Sequence, residues 1–201
     1  MLRALRIIAW SAVVLLAGAV VLTTAGVPLP GLSNRSMPLA SAIGGPFELN
    51  ATRGGTVSSK SLAGKPFAVF FGYTFCPDVC PTTLLDLSNA IKQLGPDADR
   101  MNYVFVSVDP ERDTIEQMKL YLSSFDPHII GATGSEAAIA DMAKKYHAIY
   151  RKATSKDGTV TYDHTATTYL MDAKGLFHGT LAYQESADVA AAKLRRLING
   201  S

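Results

Sequence analysis

"FAVFFGYTFCPDVCP", residues 67–81, brings together the two signals that decide the fold. Its first half is a continuous apolar run with aromatic and β-branched residues, the pattern of a central strand buried on both faces. Its second half holds Cys76 and Cys80, the only two cysteines among the 201 residues. Each precedes a proline, whose ring disfavours helical geometry in the residue before it, so both cysteines are expected on a loop. Pro81 suits the first position of a helix, where its missing N–H costs nothing. Leu84, Leu87, Ile91 and Leu94 then recur at helical spacing. Strand, cysteine loop and helix N-terminus are therefore consecutive, and the positive end of the helix dipole favours thiolate at both sulfurs.

Outward from this stretch the chain alternates strands and helices. "FELN" and "TVSS" read as short strands before the turn of "LAGKP", and "YVFVSV", 103–108, as a second buried strand. "DTIE", 113–116, resembles a capping arrangement for a helix from Thr114 to about Ser124. Ile139, Met142 and Tyr146 mark a helix within 135–147. Strands are expected at 148–153, 167–172 and 177–182, and a last helix from Ser186 to Ile198. This order predicts an α/β domain with a covered central sheet, in which ligands collect at the carboxyl ends of strands. Cys76 lies just beyond such an end.

The domain is preceded by a different kind of segment. Residues 7–27, "IIAWSAVVLLAGAVVLTTAGV", carry no charge and are long enough at 1.5 Å per residue to cross a hydrocarbon core about 30 Å thick. Arg3 and Arg6 precede it, which orients the N-terminus to the cytoplasm and everything later to the other side. The competing reading is a cleaved signal peptide, suggested by "AGA" at 17–19, although apolar residues continue through Leu22. The expected organisation is a cytoplasmic N-terminus and transmembrane helix at 1–27, a Pro/Gly/Ser linker at 28–45, and a folded domain at 46–201. A single-pass protein of the bacterial cytoplasmic membrane, with its domain in the periplasm, fits this arrangement. The formal charge of +2 loses its excess once Arg3 and Arg6 are set aside, so nothing points to nucleic acid as a partner.

Two cysteines at this spacing admit three uses. A structural disulfide is reasonable in an oxidising compartment but would close only a tiny loop. Thiol redox chemistry is the second, with one residue more than the familiar Cys-x-x-Cys. Metal binding is the third, because two thiolates form a soft pair suited to Cu(I) or Zn. Spacing alone does not decide between the last two. A metal would need a further ligand. His128, His147 and His178 read as solvated histidines, and His164, in "YDHTATTYLMD", sits in a polar turn leading into an apolar strand.

"IGGPFEL", "LAGKPFAVFFGYTFCPDVCPTT", "VFVSVDPERDT", "IIGATGS" and "YDHTATTYLMD", in this order and spacing over roughly residues 43–183, resemble the Sco/SenC family of copper-binding cytochrome oxidase assembly proteins. The resemblance implies a thioredoxin-like fold, a mixed sheet flanked by helices, on a membrane anchor. It also implies a copper site formed by Cys76, Cys80 and His164. Asp78 and Asp163 match the family's acidic neighbours and read either as solvated carboxylates or as partner-docking residues. "DPERDT", 109–114, reads as turn and cap chemistry. A cation near a dithiolate copper site would be unsurprising, but no residue can be assigned.

The function implied is a copper metallochaperone, not a turnover enzyme, delivering copper to the binuclear site of cytochrome c oxidase subunit II. Cu(I) suits two thiolates and one imidazole, and Cu(II) stays open. Loading requires reduced cysteines, hence a separate thiol reductant as a further partner. Two alternatives use the same residues: a thiol-disulfide oxidoreductase acting on the oxidase's copper-binding cysteines, and a copper or redox sensor.

Overall fold

The computed structural model describes Trp10, residues 43–154 and residues 158–200. Apart from Trp10 and residues 43–45, the expected span at 7–27 and the linker at 28–45 lie outside the described residues. Among the described residues, no helix is long and apolar enough to cross a membrane.

The elements run β1 (Glu48–Ala51), β2 (Thr56–Ser58), β3 (Phe67–Gly72), α1 (Val79–Leu94), a 3-10 helix (Gly95–Arg100), β4 (Asn102–Ser107), α2 (Ile115–Leu122), β5 (Ile129–Thr133), α3 (Glu136–Lys145), β6 (Tyr150–Thr154), β7 (Val160–His164), β8 (Thr168–Met171), β9 (Phe177–Leu181) and α4 (Ala187–Ile198). Seven strands form one mixed sheet in the order β2-β1-β5-β4-β3-β8-β9, while β6 and β7 make a separate two-stranded sheet. β3, β4 and β5 are parallel neighbours at the centre, and β8 joins β3 antiparallel. This is the α/β thioredoxin-like arrangement. Every residue of β3 is buried, as its unbroken apolar run predicts.

Alternation along the strands assigns the faces. Phe70 is in register with Phe105, and Phe105 with Gly131. On this side a Cβ on Gly131 would lie 2.8 Å from Leu122 of α2, and one on Gly72 only 2.6 Å from Cys80 of α1. Phe71 points to the other side. It meets Tyr146, at the end of α3, with ring centroids 5.8 Å apart, and Tyr169 at 6.1 Å. Full burial of a phenylalanine contributes about 2–3 kcal/mol, so these two aromatic layers fix which face each helix covers.

The starts of α2, α3 and α4 are capped by the Thr114, Ser135 and Ser186 side chains, which accept from the amides of Gln117, Ala138 and Val189, so the cap of α2 lies one residue after Asp113, where the expected "DTIE" arrangement begins. α1 differs from expectation. It begins at Val79, so Cys80 is its second residue and Pro81 its third, and only Cys76 lies on the loop. The conflict between a proline and its predecessor is a preference, and the complete burial of Cys80 outweighs it. Pro81 still falls among the first amides, which have no intrahelical acceptor to lose. Two strands were not expected, β5 and β7. His164 is accordingly the last residue of a strand, not part of a turn.

Candidate metal centre

The site forms where β3 ends. Gly72 pairs with Ser107 at the carboxyl ends of β3 and β4, and the chain then turns through residues 73–78 into α1. A side chain at Gly72 would occupy the space of the Cys80 sulfur and also lie 2.8 Å from the Phe105 ring, so glycine here makes room for the thiol. Asp113, buried at the start of α2, clamps the loop. Its carboxylate accepts from the Thr74 amide (3.0 Å), the Thr74 hydroxyl (2.6 Å) and the Ser107 hydroxyl (2.6 Å).

His164 reaches the cysteines from the separate β6–β7 hairpin, where it pairs with Tyr150. Its Nε2 lies 3.2 Å from the Cys80 sulfur and 3.8 Å from the Cys76 sulfur, although 84 residues separate it from Cys80. One donor atom from each of the three residues falls within 4.8 Å of the others. The imidazole is oriented by its surroundings. Nδ1 lies 3.2 Å from the Thr165 carbonyl, which accepts a proton on that nitrogen when Nε2 gives its lone pair to a metal. Phe70 and Tyr73 place ring edges against it, each with centroids 5.9 Å away.

Neither cysteine is in a disulfide, and their environments separate them. The Cys76 thiol is held down to about 3, first by a hydrogen bond from the Cys80 thiol and also by His164 and the Asp78 and Cys80 amides, against the opposing effect of burial. The Cys80 amide of the first helical turn donates to the Cys76 sulfur at 3.4 Å. The Cys80 thiol is pushed up, first by that same sulfur–sulfur hydrogen bond, then by burial and by the neighbouring Cys76 thiolate. The pair thus holds one proton between two sulfurs. The expectation was a helix end that favours thiolate at both sulfurs; the Cys76 thiol is lowered chiefly by Cys80, with the helix-end amides a smaller cause, and the Cys80 thiol is raised instead.

Asp78 and Asp163 are both exposed beside the site. Asp78 takes the N-cap position of α1 without a side-chain cap bond, and Asp163 stands directly across the hairpin from Arg151. The other histidines stay away from the cluster. His128 is tied to Asp126 (2.7 Å) and Asp99 (3.1 Å) instead of being merely solvated, while His147 and His178 are exposed.

Four residues with a part in this geometry were not singled out from the sequence: Gly72, Tyr73, Arg112 and Asp113. Tyr73 accepts the Tyr162 amide on its hydroxyl at 3.2 Å and so ties the loop to the histidine hairpin. Arg112 is a cation beside this loop, with its guanidinium 4.9 Å from the Phe75 ring centroid. The charges of "DPERDT" were the available signal, because turn and cap chemistry needs only part of that motif. Thr114 alone caps α2, and Asp113 is buried.

Two thiol sulfurs and an oriented imidazole nitrogen, drawn together in a mostly buried pocket, form a soft donor set that fits copper. A family model described as SCO1/SenC matches residues 35–199. The mitochondrial protein SCO1 homolog 1 of Arabidopsis thaliana is 42% identical over 131 residues, 65% of this chain and 39% of that protein's length. A SCO2-like protein of Rickettsia prowazekii is 39% identical over 137 residues, 67% of each chain. Among solved structures, Bradyrhizobium japonicum ScoI with copper bound is 51% identical with a TM-score of 0.73, covering 78% of this chain and 99% of that one. Donor geometry, fold and sequence agree, and the chain belongs to the SCO1/SenC family.

Proposed function

We propose that this chain is a membrane-anchored copper metallochaperone in cytochrome c oxidase assembly, delivering copper to the binuclear site of oxidase subunit II. The observation that carries this reading is the convergence of Cys76, Cys80 and His164 to within 4.8 Å, the histidine coming from a separate hairpin. A thiol exchange site needs no third ligand, whereas Cu(I) on two thiolates gains a complete three-donor shell from an imidazole. The copper-bound Bradyrhizobium relative supports the same cargo. Copper held by three donors at the mouth of a pocket can pass stepwise to a partner's ligands. Exposed Asp78 and Asp163 flank the donors and serve in docking that partner. A thiol reductant keeps the cysteines available, and the domain from residue 46 onward works in the periplasm on an anchor at 1–27.

The second reading, a thiol-disulfide oxidoreductase acting on the oxidase's cysteines, is favoured by one observation. Cys76 is a thiolate at the mouth of the site, the state needed for attack on a disulfide. His164→Ala separates the two. In the chaperone it should weaken Cu(I) binding by about ten- to a hundredfold and lower oxidase activity in cells at limiting copper, while changing the cysteine pair's reduction potential little. The measurement is a competition titration of the reduced protein beside oxidase assays. Normal oxidase assembly in that strain would replace the chaperone reading with the reductase.

A further inference from the structure

The three donors arrive on two pieces of the fold. Cys76 and Cys80 belong to the loop and helix that continue β3, whereas His164 ends a hairpin that shares no ladder with the seven-stranded sheet. Whatever seats the hairpin against the loop therefore sets the distances from imidazole to sulfur.

Arg112, in the connection between β4 and α2, touches both pieces. Its Nη1 donates to the Val160 carbonyl of β7 at 3.1 Å, and its guanidinium carbon lies 4.9 Å from the centroid of Phe75, the residue before Cys76. The same carbon is 5.9 Å from the Tyr73 ring. Its base is fixed, because Nε donates to Asp109, whose side chain is 1% exposed and which also accepts from the Tyr162 hydroxyl at 3.4 Å. Nη2 is buried without a hydrogen-bond partner. A guanidinium placed only for solubility would turn that group to water, since a buried unpaired donor costs about 1–3 kcal/mol. Here the planar fork stays in, bonded to the hairpin on one side and stacked near an aromatic face on the other.

We propose that Arg112 is a positioning residue for the metal centre, a strut that registers the β6–β7 hairpin, and with it His164 Nε2, against the cysteine loop without touching the metal. This rests on the copper reading of Cys76, Cys80 and His164. Two other roles would look similar in a single substitution: a positive charge that offsets the charge of a copper dithiolate, and general stabilisation of the domain.

The test uses the full-length reduced chain. In the copper-free protein, Arg112→Met should speed amide exchange at residues 160–164 by about tenfold, with β3 and β4 unchanged. Unchanged exchange in the hairpin, or equal loss of protection in the central strands, overturns the strut. With copper, competition against a Cu(I) chelator should show Arg112→Met and Arg112→Lys each weakening binding by about tenfold, because lysine keeps the charge but not the fork. In a His164→Ala background the Arg112→Met effect should shrink to less than about twofold, since a strut acts through the imidazole it holds. Full affinity in Arg112→Lys, or an undiminished penalty beside His164→Ala, would make Arg112 a charge or a stabiliser instead. Should the Arg112 variants misfold, Phe75→Leu removes an exposed ring and leaves the Val160 bond, and it should loosen the hairpin by about threefold; no loosening rejects the proposal. Failure of the copper reading has its own signature, wild-type copper affinity in Cys76→Ser plus Cys80→Ser, and the exchange measurement still judges the strut.

Discussion

Cys76 sits at the mouth of the site with a helix-end amide donating to its sulfur, whereas Cys80 is sealed below it, 0% exposed, in the space that Gly72 leaves open. The resting pair is therefore one thiolate and one thiol. Metal binding needs both sulfurs deprotonated, so copper must displace the proton held at Cys80. The sign follows from the two shifts. Cys76, depressed to about 3, has already lost its proton at neutral pH and contributes nothing further, while Cys80, raised above the ordinary thiol range, still carries its own. We expect about one proton released per copper between pH 7 and 8, and apparent Cu(I) affinity rising about tenfold per pH unit. Calorimetry in buffers of different ionisation enthalpy counts the protons. Release of two would mean a pair of thiols, release of none a pair of thiolates, and either would contradict the asymmetry.

The loop that carries Cys76 owes its position to elements on either side of it, and Asp113 is where they meet. Its carboxylate accepts from both the amide and the hydroxyl of Thr74, and it binds Ser107 at the end of β4. Asp113→Ala strands those donors in a buried setting and should cost about 2–4 kcal/mol in chemical denaturation. Burial raises its carboxyl, against the lowering effect of the three hydrogen bonds. A carboxyl raised in the fold favours folding below its unfolded value, and that advantage is lost as pH rises through the folded value. Asp113→Asn cannot ionise, so its stability relative to the parent should improve from pH 4 to pH 7; a constant difference would show that the carboxyl is not raised. Elements with strong periodicity were legible in the sequence. β3 and β4 read as buried strands, and Leu84, Leu87, Ile91 and Leu94 all lie on the buried side of α1. β5 was not, because "IIGAT" is short and interrupted by Gly131, which is glycine to admit Leu122 and Thr52. β7 was not either, since "VTYDH" buries only Tyr162 and reads as polar. The three donor residues were legible through the family's motifs, but Gly72, Tyr73, Arg112 and Asp113 act through contacts that periodicity does not encode. Tyr73 meets Tyr162 across 89 positions.

At the scale of the whole molecule, the chemistry of the site constrains where it can work. A thiolate and thiol within reach of each other close to a disulfide in an oxidising compartment, so a domain placed there would depend on a reductant that the cytoplasm would make unnecessary. The uncharged span at 7–27 behind Arg3 and Arg6 is what would put the domain there, on the far side of the membrane from the N-terminus. Location and redox partner are thus linked. If the domain faces the periplasm, protease added to spheroplasts should remove residues 28–201 while leaving cytoplasmic proteins intact, and alkaline washing should not release the intact chain from membranes. In the same cells a membrane-impermeant thiol reagent should label Cys76, with labelling lost when periplasmic thiol reduction is blocked, because the pair then oxidises. Protection from protease in intact spheroplasts would place the domain in the cytoplasm and remove the need for a reductant. A soluble product beginning near Val20 would instead identify the apolar stretch as a cleaved signal peptide, and the domain would then reach its partner by diffusion in the periplasm, without the confinement to the membrane surface that an anchor provides.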